Sequence, residues 1–276
     1  MSVYHALAAG GAVRLLIVEA SEVANDTRRV HGLGPNAARL AAEGIVATGL
    51  LASTIKGEER VTLQVQAEVP RISFAADMNA EGGLRARLRP SSLPPVHAFD
   101  GAMLVIKSDA RRELYRGTTA VSGQSLGAAL ATHLGSSNQV HGYLSIDVTQ
   151  DEQGEIDFAG GVWVERLPQH ATQATLEPDA FDAIFGPVAC TPATVLFEEL
   201  HKNHLLGHAI TPLHSSGLFW SCTCNRERVR AMLQGLGEAP LREMIEEDDG
   251  AEVTCHFCMT AQRFTGEELR ALLPQR

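Results

Sequence analysis

The chain has 276 residues, 45% of them hydrophobic, which predicts a globular protein with one large domain or with a core and a smaller unit. Its formal net charge is -10 and it contains no block of Lys and Arg residues, so we expect no nucleic-acid partner. The longest stretch of low charge, residues 44–55, is shorter than the ~18 apolar residues of a membrane span, so we expect no transmembrane helix and no membrane partner.

The first part of the chain has the alternating pattern of strands. Near the N-terminus, Arg14 interrupts the apolar run where a signal peptide would need continuity, so we expect this segment to lead into a strand. Apolar and polar residues alternate in residues 60–66 and again in residues 71–77. This alternation predicts two neighbouring half-buried strands joined by a turn around Pro70.

Two other segments, residues 35–54 and 124–134, carry apolar residues at helical spacing. Helices packed on a sheet predict an α+β core domain, to which we assign residues 1–170. The last segment, residues 220–276, has the patterns of two short helices, in residues 225–236 and 240–249. Near its end, Thr265 and Glu268 have the spacing of a capping box.

Between these two parts we predict a helical linker over residues 171–219. Residues 191–206 have a helical pattern, whereas residues 207–217 are rich in His, Pro, Ser and Gly, as a connector would be. His201, His204 and His208 have the i, i+3 and i+7 spacing of one helix face. That face is either solvated or able to respond to pH or bind a metal.

Four of the five cysteines lie in the last quarter of the chain, while Cys190 stands apart and is interpreted as a buried apolar residue. An odd number of cysteines clustered in this way is not typical of a secreted disulfide framework, so we expect a reducing cytoplasm. The four clustered cysteines are Cys222, Cys224, Cys255 and Cys258.

These four cysteines have the spacing of a structural zinc site. In an extended strand, side chains at i and i+2 point the same way, so Cys222 and Cys224 can present two sulfurs to one side. Cys255 and Cys258 have the CxxC spacing of a metal-binding turn, and four thiolates complete a tetrahedral Zn²⁺ site without an open catalytic position. Structural zinc contributes on the order of 10–16 kcal/mol in small peptides, so we expect this segment to unfold largely without its metal.

The same thiolates can be oxidised, and the two pairs differ in geometry. A CxxC turn closes a disulfide comfortably, whereas cysteines at i and i+2 of a strand lie near the ~6.8 Å upper limit of Cα separation. We therefore predict that Cys255 and Cys258 oxidise first. A permanently reduced structural zinc site is the alternative that this spacing leaves open.

Residues near the cysteines also leave interpretations open. Arg226, Arg228 and Arg263 either offset the negative charge of a zinc tetrathiolate or form ordinary surface salt bridges. His256 lies inside the CxxC turn, but four sulfurs already complete the tetrahedron, so we expect this side chain to be exposed.

The cysteine pattern resembles that of a known family. A CxC pair, thirty intervening residues, a CxxC pair and the following segment 263–273 together resemble the C-terminal domain of the redox-regulated holdase chaperones of the heat shock protein 33 type. Residues 49–66, 82–88, 113–130 and 159–168 resemble segments of the family's core domain, so the resemblance covers most of the chain. Residues 67–70 and 134–140 and the His-rich connector depart from the family's pattern.

The resemblance implies a cytoplasmic, ATP-independent chaperone that is inactive when reduced, with one zinc ion on Cys222, Cys224, Cys255 and Cys258. Oxidation would form the Cys222–Cys224 and Cys255–Cys258 disulfides, release zinc and unfold the metastable linker. The exposed apolar surface would then hold unfolding client proteins, with a monomer in the reduced state and a homodimer in the oxidised state.

Two other functions are weighed against this one. A thiol-disulfide oxidoreductase would use Cys255 and Cys258 in turnover and would rest without metal. A constitutive zinc-stabilised binding module would hold the metal and never cycle. We expect the chain not to be an enzyme, because no acid, base or nucleophile constellation stands out from it.

Overall fold

The computed structural model describes residues 2–53, 55–137, 142–167, 191–205 and 207–274. The chain forms two compact units, Met1–Ser221 and Cys222–Arg276. Helices and strands occur in both, which confirms the predicted α+β class. Among the described helices, none combines the length and the apolar character needed to cross a membrane. Cys190 and the predicted boundary at residue 170 lie outside the described residues.

A five-stranded antiparallel sheet forms one layer of the larger unit. Its strands, in spatial order, are β10 (Thr211–Gly217), β1 (Ser2–Ala8), β2 (Val13–Glu19), β9 (Ile156–Arg166) and β8 (Gly142–Gln150). In β2, Leu16 and Val18 belong to one buried cluster. Leu15 and Ile17 belong to a second cluster on the opposite face, so both faces of this sheet are covered.

A six-stranded sheet forms the second layer. Its strands, in spatial order, are β11 (Phe219–Trp220), β5 (Gly83–Arg89), β4 (Arg71–Asn79), β3 (Arg60–Val69), β6 (Phe99–Ser108) and β7 (Glu113–Gln124). Strand β11 pairs parallel with β5, and the other pairs are antiparallel. The alternation in residues 60–66 and 71–77 is confirmed, because Val65 and Phe74 pair across β3 and β4 and both are buried.

Helix α2 (Pro35–Ala52) packs between the two sheets and buries most of its residues in the cluster that both sheets share. Its apolar residues surround the helix on every side, which is typical of a fully buried helix. Helix α1 (Ser21–His31) packs beside it, and α3 (Leu126–Ser137) contacts β7 and β8. The helices predicted in residues 35–54 and 124–134 are therefore confirmed.

The end of the predicted linker is not all helical. Helix α4 (Ala193–Asn203) confirms the helical pattern, but residues 211–217, predicted as a connector, form strand β10 and extend the five-stranded sheet. The prediction failed because β10 is almost entirely exposed and has no apolar alternation of its own. Its conformation is decided by the open edge of β1, which supplies backbone hydrogen-bond partners.

Helix α4 covers the outer face of the five-stranded sheet. Leu196 and Leu200 are buried there in one cluster with Leu15 and Ile17 of β2. Phe197 stacks on Tyr4 of β1 with ring centroids 4.9 Å apart. The N-terminus of the helix is held by Glu19, whose carboxylate accepts a hydrogen bond of 2.8 Å from the Ala193 amide.

A pair of histidines joins β1 and β10. His5 is buried, lies opposite the exposed His214 in the strand register, and stacks on it with ring centroids 4.0 Å apart. Burial, the nearby His214 and the charge of Arg14 lower the pKa of His5 to about 4. The strand edge therefore favours the neutral form of His5.

The smaller unit has a minimal core. It contains α5 (Arg226–Gly235), α6 (Glu238–Asp248), a hairpin of β12 (Gly250–Thr254) and β13 (Ala261–Thr265), and α7 (Gly266–Arg270). The two predicted helices and the capping box of Thr265 and Glu268 are confirmed. Its fully buried apolar side chains are Leu233, Leu241, Phe264, Leu269 and Leu272.

Replacing Gly44 in α2 by alanine is expected to destabilise the larger unit by about 1–3 kcal/mol, because the new methyl group would collide with the Phe74 ring. The matched control is Gly135→Ala in α3, where no atom lies within 4 Å of the new methyl group. Denaturant unfolding measures both variants. Equal free energies of unfolding for the two would show that the α2 interface tolerates the added volume.

Acidification is expected to weaken the fold through His5. The pKa of this group is lowered in the folded state, so the unfolded chain binds more protons between pH 6.5 and pH 4, and stability falls as pH drops through that window. One proton gives a slope of at most about 1.4 kcal/mol per pH unit. His5→Gln should flatten the dependence of the unfolding free energy on pH. The control His97→Gln, at an exposed position, should leave that dependence unchanged. Identical slopes in the two variants would contradict the assignment to His5.

Candidate metal centre

Cys222 and Cys224 lie in an irregular segment between β11 and α5. The predicted strand ends at Trp220, so the two side chains are not positioned by strand alternation. The segment is instead terminated by Asn225, the N-cap of α5, whose side chain accepts a 2.8 Å hydrogen bond from the Arg228 amide. The cap orients the chain as it leaves the cysteines.

Cys255 and Cys258 lie at the tip of the hairpin formed by β12 and β13. Thr254 and Ala261 are the last paired residues, and the Cys255 amide donates to the Thr260 carbonyl at 3.0 Å. The Met259 amide donates to the Cys255 carbonyl at 2.9 Å, with Met259 itself at a φ of 58° in the left-handed region. The predicted CxxC turn is confirmed, and both sulfurs lie at the same end of the hairpin.

The fold brings all four sulfurs together. The Sγ atoms of Cys222, Cys224, Cys255 and Cys258 all lie within 4.8 Å of one another. Cys222 and Cys255 are separated by 3.7 Å between sulfurs, and Cys224 and Cys258 by 3.0 Å. All four side chains are half-buried. Two segments separated by thirty residues thus converge on one point.

The thiols have different proton affinities. Burial acts to raise the pKa of Cys258, but hydrogen bonds from the Thr260 side chain and from Cys224 outweigh it and lower that pKa to about 6. The pKa of Cys224 is raised, first by its hydrogen bond to Cys258 and then by burial. Burial also raises the pKa of Cys255. Without a metal, the negative charge therefore concentrates on Cys258, which accepts from its neighbours.

This donor set fits a thiophilic metal ion. Sulfurs that surround a tetrahedral zinc ion at ~2.3 Å lie about 3.8 Å from one another, close to the separation of Cys222 and Cys255. The shorter separation of Cys224 and Cys258 would widen by less than about 1 Å to reach the same geometry. The four cysteines are therefore able to hold one ion.

Two arginines near the cysteines in sequence make contacts within the smaller unit. Arg226 lies over the Phe264 ring with 4.3 Å between guanidinium carbon and ring centroid. It also donates to the Glu268 carboxylate at 2.5 Å and to the Arg263 carbonyl at 2.8 Å. Arg263 pairs with Glu252 at 2.5 Å. The salt-bridge interpretation therefore holds for these two arginines.

The histidines that the sequence singled out are exposed. His256 is exposed within the turn, as expected. The predicted face of His201, His204 and His208 does not form, because α4 ends at Asn203 and His204 has a φ of 64°. The sequence offered no signal for this early end, since the helical pattern continues through residue 206.

The chain is thus an α+β protein with a core of two sheets around a buried helix. In sequence, this core is followed by a small unit that brings four cysteines together. A model of the Hsp33 protein family matches residues 2–265. The chain therefore belongs to the Hsp33 family, which confirms the resemblance noted in the sequence.

Individual relatives agree with this assignment. The 33 kDa chaperonin of Bacillus subtilis strain 168 is 28% identical over 286 residues, which cover 98% of this chain and 97% of the relative. The 33 kDa chaperonin of Staphylococcus aureus strain JH9 is 26% identical over 286 residues, covering 97% and 96%. The chain is also similar to the crystal structure of a heat shock protein 33 homologue from Thermotoga maritima, with a TM-score of 0.78 and 22% sequence identity. The match covers 98% of this chain and 97% of that chain, so the two have the same fold.

Removing the Arg226 side chain is expected to loosen the smaller unit, because Arg226→Ala loses the contact with Phe264 and two hydrogen bonds. We expect a loss of about 1–2 kcal/mol, measured by hydrogen exchange of the β13 amides in the reduced protein. Arg242→Ala, which removes only an exposed i, i+4 pair with Glu238, should change exchange by less than about 0.5 kcal/mol. Similar exchange in both variants would assign Arg226 no special role.

Proposed function

We propose that this protein is a redox-regulated, ATP-independent holdase chaperone that is inactive when reduced and zinc-bound. The observation that carries the proposal is the convergence of four cysteine sulfurs within 4.8 Å in a chain of the Hsp33 family. The relatives' name, 33 kDa chaperonin, supports chaperone activity, and the sulfur group supports a switch that thiol chemistry can operate.

In the reduced state we propose Cys222, Cys224, Cys255 and Cys258 as the ligands of one Zn²⁺ ion. A bound zinc ion would cross-link the start of the small unit to the tip of its hairpin and would have no open position for catalysis. Five fully buried apolar side chains are a small core for this unit, so its folding would depend on the metal.

Oxidation by peroxide would remove the ligands. Two thiolates and two protons give one disulfide as one peroxide molecule is reduced to two molecules of water, so two peroxides convert four cysteines into two disulfides. We propose the pairs Cys222–Cys224 and Cys255–Cys258, with the CxxC pair forming first. In the structure, the sulfur pairs at 3.7 Å and 3.0 Å are Cys222 with Cys255 and Cys224 with Cys258, which each connect the two segments. The experiment must therefore identify which cysteines form each disulfide.

We propose residues 1–170 as the core, 171–219 as the metastable linker and 220–276 as the redox unit. The described part of the linker supports a holding mechanism, because α4 covers apolar residues of the five-stranded sheet. Release of α4 would uncover Leu15 and Ile17 together with its own Leu196 and Leu200. Contiguous apolar surface of this kind binds unfolding chains.

The remaining features of the proposal follow the family. We propose unfolding client proteins as partners, a monomer in the reduced state, a homodimer in the oxidised state and residence in the cytoplasm. The chain is proposed not to be an enzyme, and no nucleic-acid or membrane partner is included in its function.

The decisive experiment combines zinc content with suppression of client aggregation, before and after peroxide treatment at elevated temperature. We expect about one zinc per chain in the reduced protein, its loss on oxidation, and a gain of holdase activity in the same sample. Peptide mass spectrometry without reductant reads the disulfide pairs and their order. Zinc retained with unchanged activity would leave a constitutive zinc-stabilised module.

Matched variants separate the remaining alternatives. Cys222→Ser and Cys255→Ser should each lower zinc content and abolish the dependence of activity on peroxide, whereas Cys190→Ser should leave both unchanged. An insulin-reduction assay tests the thiol-disulfide oxidoreductase, for which turnover in the metal-free protein would be required. Turnover there would replace the chaperone proposal.

A further inference from the structure

Strand β5 presents a row of arginines on the outer face of the six-stranded sheet. Arg85, Arg87 and Arg89 alternate with buried Leu84, Ala86 and Leu88, so the three guanidinium groups share one face. The register places Arg89 opposite Ser73 of β4 and Arg85 opposite Asp77. Arg71, at the start of β4, is on the same face as Ser73 and Asp77.

These arginines divide into two groups by their partners. Asp77 is buried and accepts hydrogen bonds from Arg85 at 2.9 Å and from Arg60 at 2.8 Å, so these two arginines share one carboxylate. Within the described part of the chain, no ion pair or hydrogen bond from the side chains of Arg71, Arg87 and Arg89 is found. Three unpaired positive charges remain on this face.

Two of the unpaired arginines line an open groove at the end of the sheet. The groove has a volume of about 1310 Å³, and Arg71 and Arg89 line it together with the hydroxyl side chains of Ser73 and Ser91. Of the described lining residues only Glu68 is acidic, and it lies opposite Arg71 in the strand register without forming an ion pair with it. The groove is therefore a locally positive site on a chain whose net charge is -10.

We propose that this groove, defined by Arg71, Ser73, Arg89 and Ser91, docks an extended acidic peptide segment of a partner protein. Guanidinium groups bind carboxylates in a bidentate geometry, and the serine hydroxyls add hydrogen-bond donors. Arg71 and Arg89 are diagonal neighbours on adjacent strands, because Arg89 pairs with Ser73. Side chains in that relation lie about 7–8 Å apart, close to the ~6.6 Å between alternate positions of an extended peptide that carries carboxylates. Because the rest of the chain repels acidic molecules, the groove selects where such a segment docks.

The same charges would also attract RNA, but the lining favours a peptide. Single-stranded nucleic acids bind through aromatic side chains on which their bases stack. Among the lining residues that the structure describes none is aromatic, and the apolar contributions come from small or aliphatic residues such as Ile72 and Ala102. Carboxylates in a peptide need only the arginines and hydroxyls that the groove supplies.

The test uses the full-length, reduced, zinc-loaded protein and a fluorescently labelled octa-glutamate peptide in an anisotropy titration at low and moderate salt. We expect saturable binding that weakens with salt, and a loss of about tenfold in affinity for each of Arg71→Gln and Arg89→Gln. Arg111→Gln and Arg112→Gln remove equal charges from exposed positions between β6 and β7 and should change affinity by less than about twofold.

An octa-lysine peptide and an eight-nucleotide RNA serve as the competing probes. Tighter binding of RNA that is lost in the Arg71→Gln and Arg89→Gln variants would overturn the peptide assignment. Binding of octa-glutamate that is unchanged in those variants, or no binding, would overturn the groove itself. The assay involves neither oxidation nor aggregating clients, so its failure leaves the proposed chaperone function untouched, and a failed switch leaves this result untouched.

Discussion

The convergence of four sulfurs is the constraint on which the smaller unit depends. Leu233, Leu241, Phe264, Leu269 and Leu272 are its fully buried side chains, and a core of that size contributes little against the conformational entropy of about fifty residues. A metal held by Cys222, Cys224, Cys255 and Cys258 would join the start of the unit to its hairpin. On the proposed function, chemistry at sulfur would decide whether this unit is folded.

The larger unit depends on a different interaction, the burial of α2 between two sheets. The shared cluster provides a large, closely packed core, which on the proposed function would stay folded while structure is lost elsewhere. On the outer face of the five-stranded sheet, by contrast, α4 is held by a few contacts. They include the stack of Phe197 on Tyr4 and the hydrogen bond from the Ala193 amide to Glu19. This difference in packing gives the proposed switch a stable platform and a separable cover.

Strand β10 gives the end of the predicted linker more structure than a flexible connector would have. It pairs with β1 through six residue pairs, and only β11 separates it from Cys222 in the chain. Its pairing includes the stack of His5 on His214, and the lowered pKa of His5 favours the neutral form of that residue. Detachment of the linker would therefore have to break a strand pair as well as release a helix, which sets a threshold against accidental exposure of apolar surface.

The sequence by itself determined the α+β class, the main helices and strands, the identity of the four cysteines and the family. These are local signals: periodic burial sets the secondary structure, and the CxC and CxxC spacings mark the four cysteines whose sulfurs converge. Tertiary structure alone decided that residues 211–217 form a strand, because the pairing edge of β1 lies some two hundred residues away in the chain.

The arginine groove also required the tertiary structure. The sequence contains no continuous basic block. Strand alternation nevertheless places Arg85, Arg87 and Arg89 on one face of β5, and the register with β4 places Arg71 on the same face. The position of Asp77 decides which of these arginines has a carboxylate partner. Sequence patterns report what each residue prefers locally, whereas partners supplied by distant strands decide which groups are left free to bind.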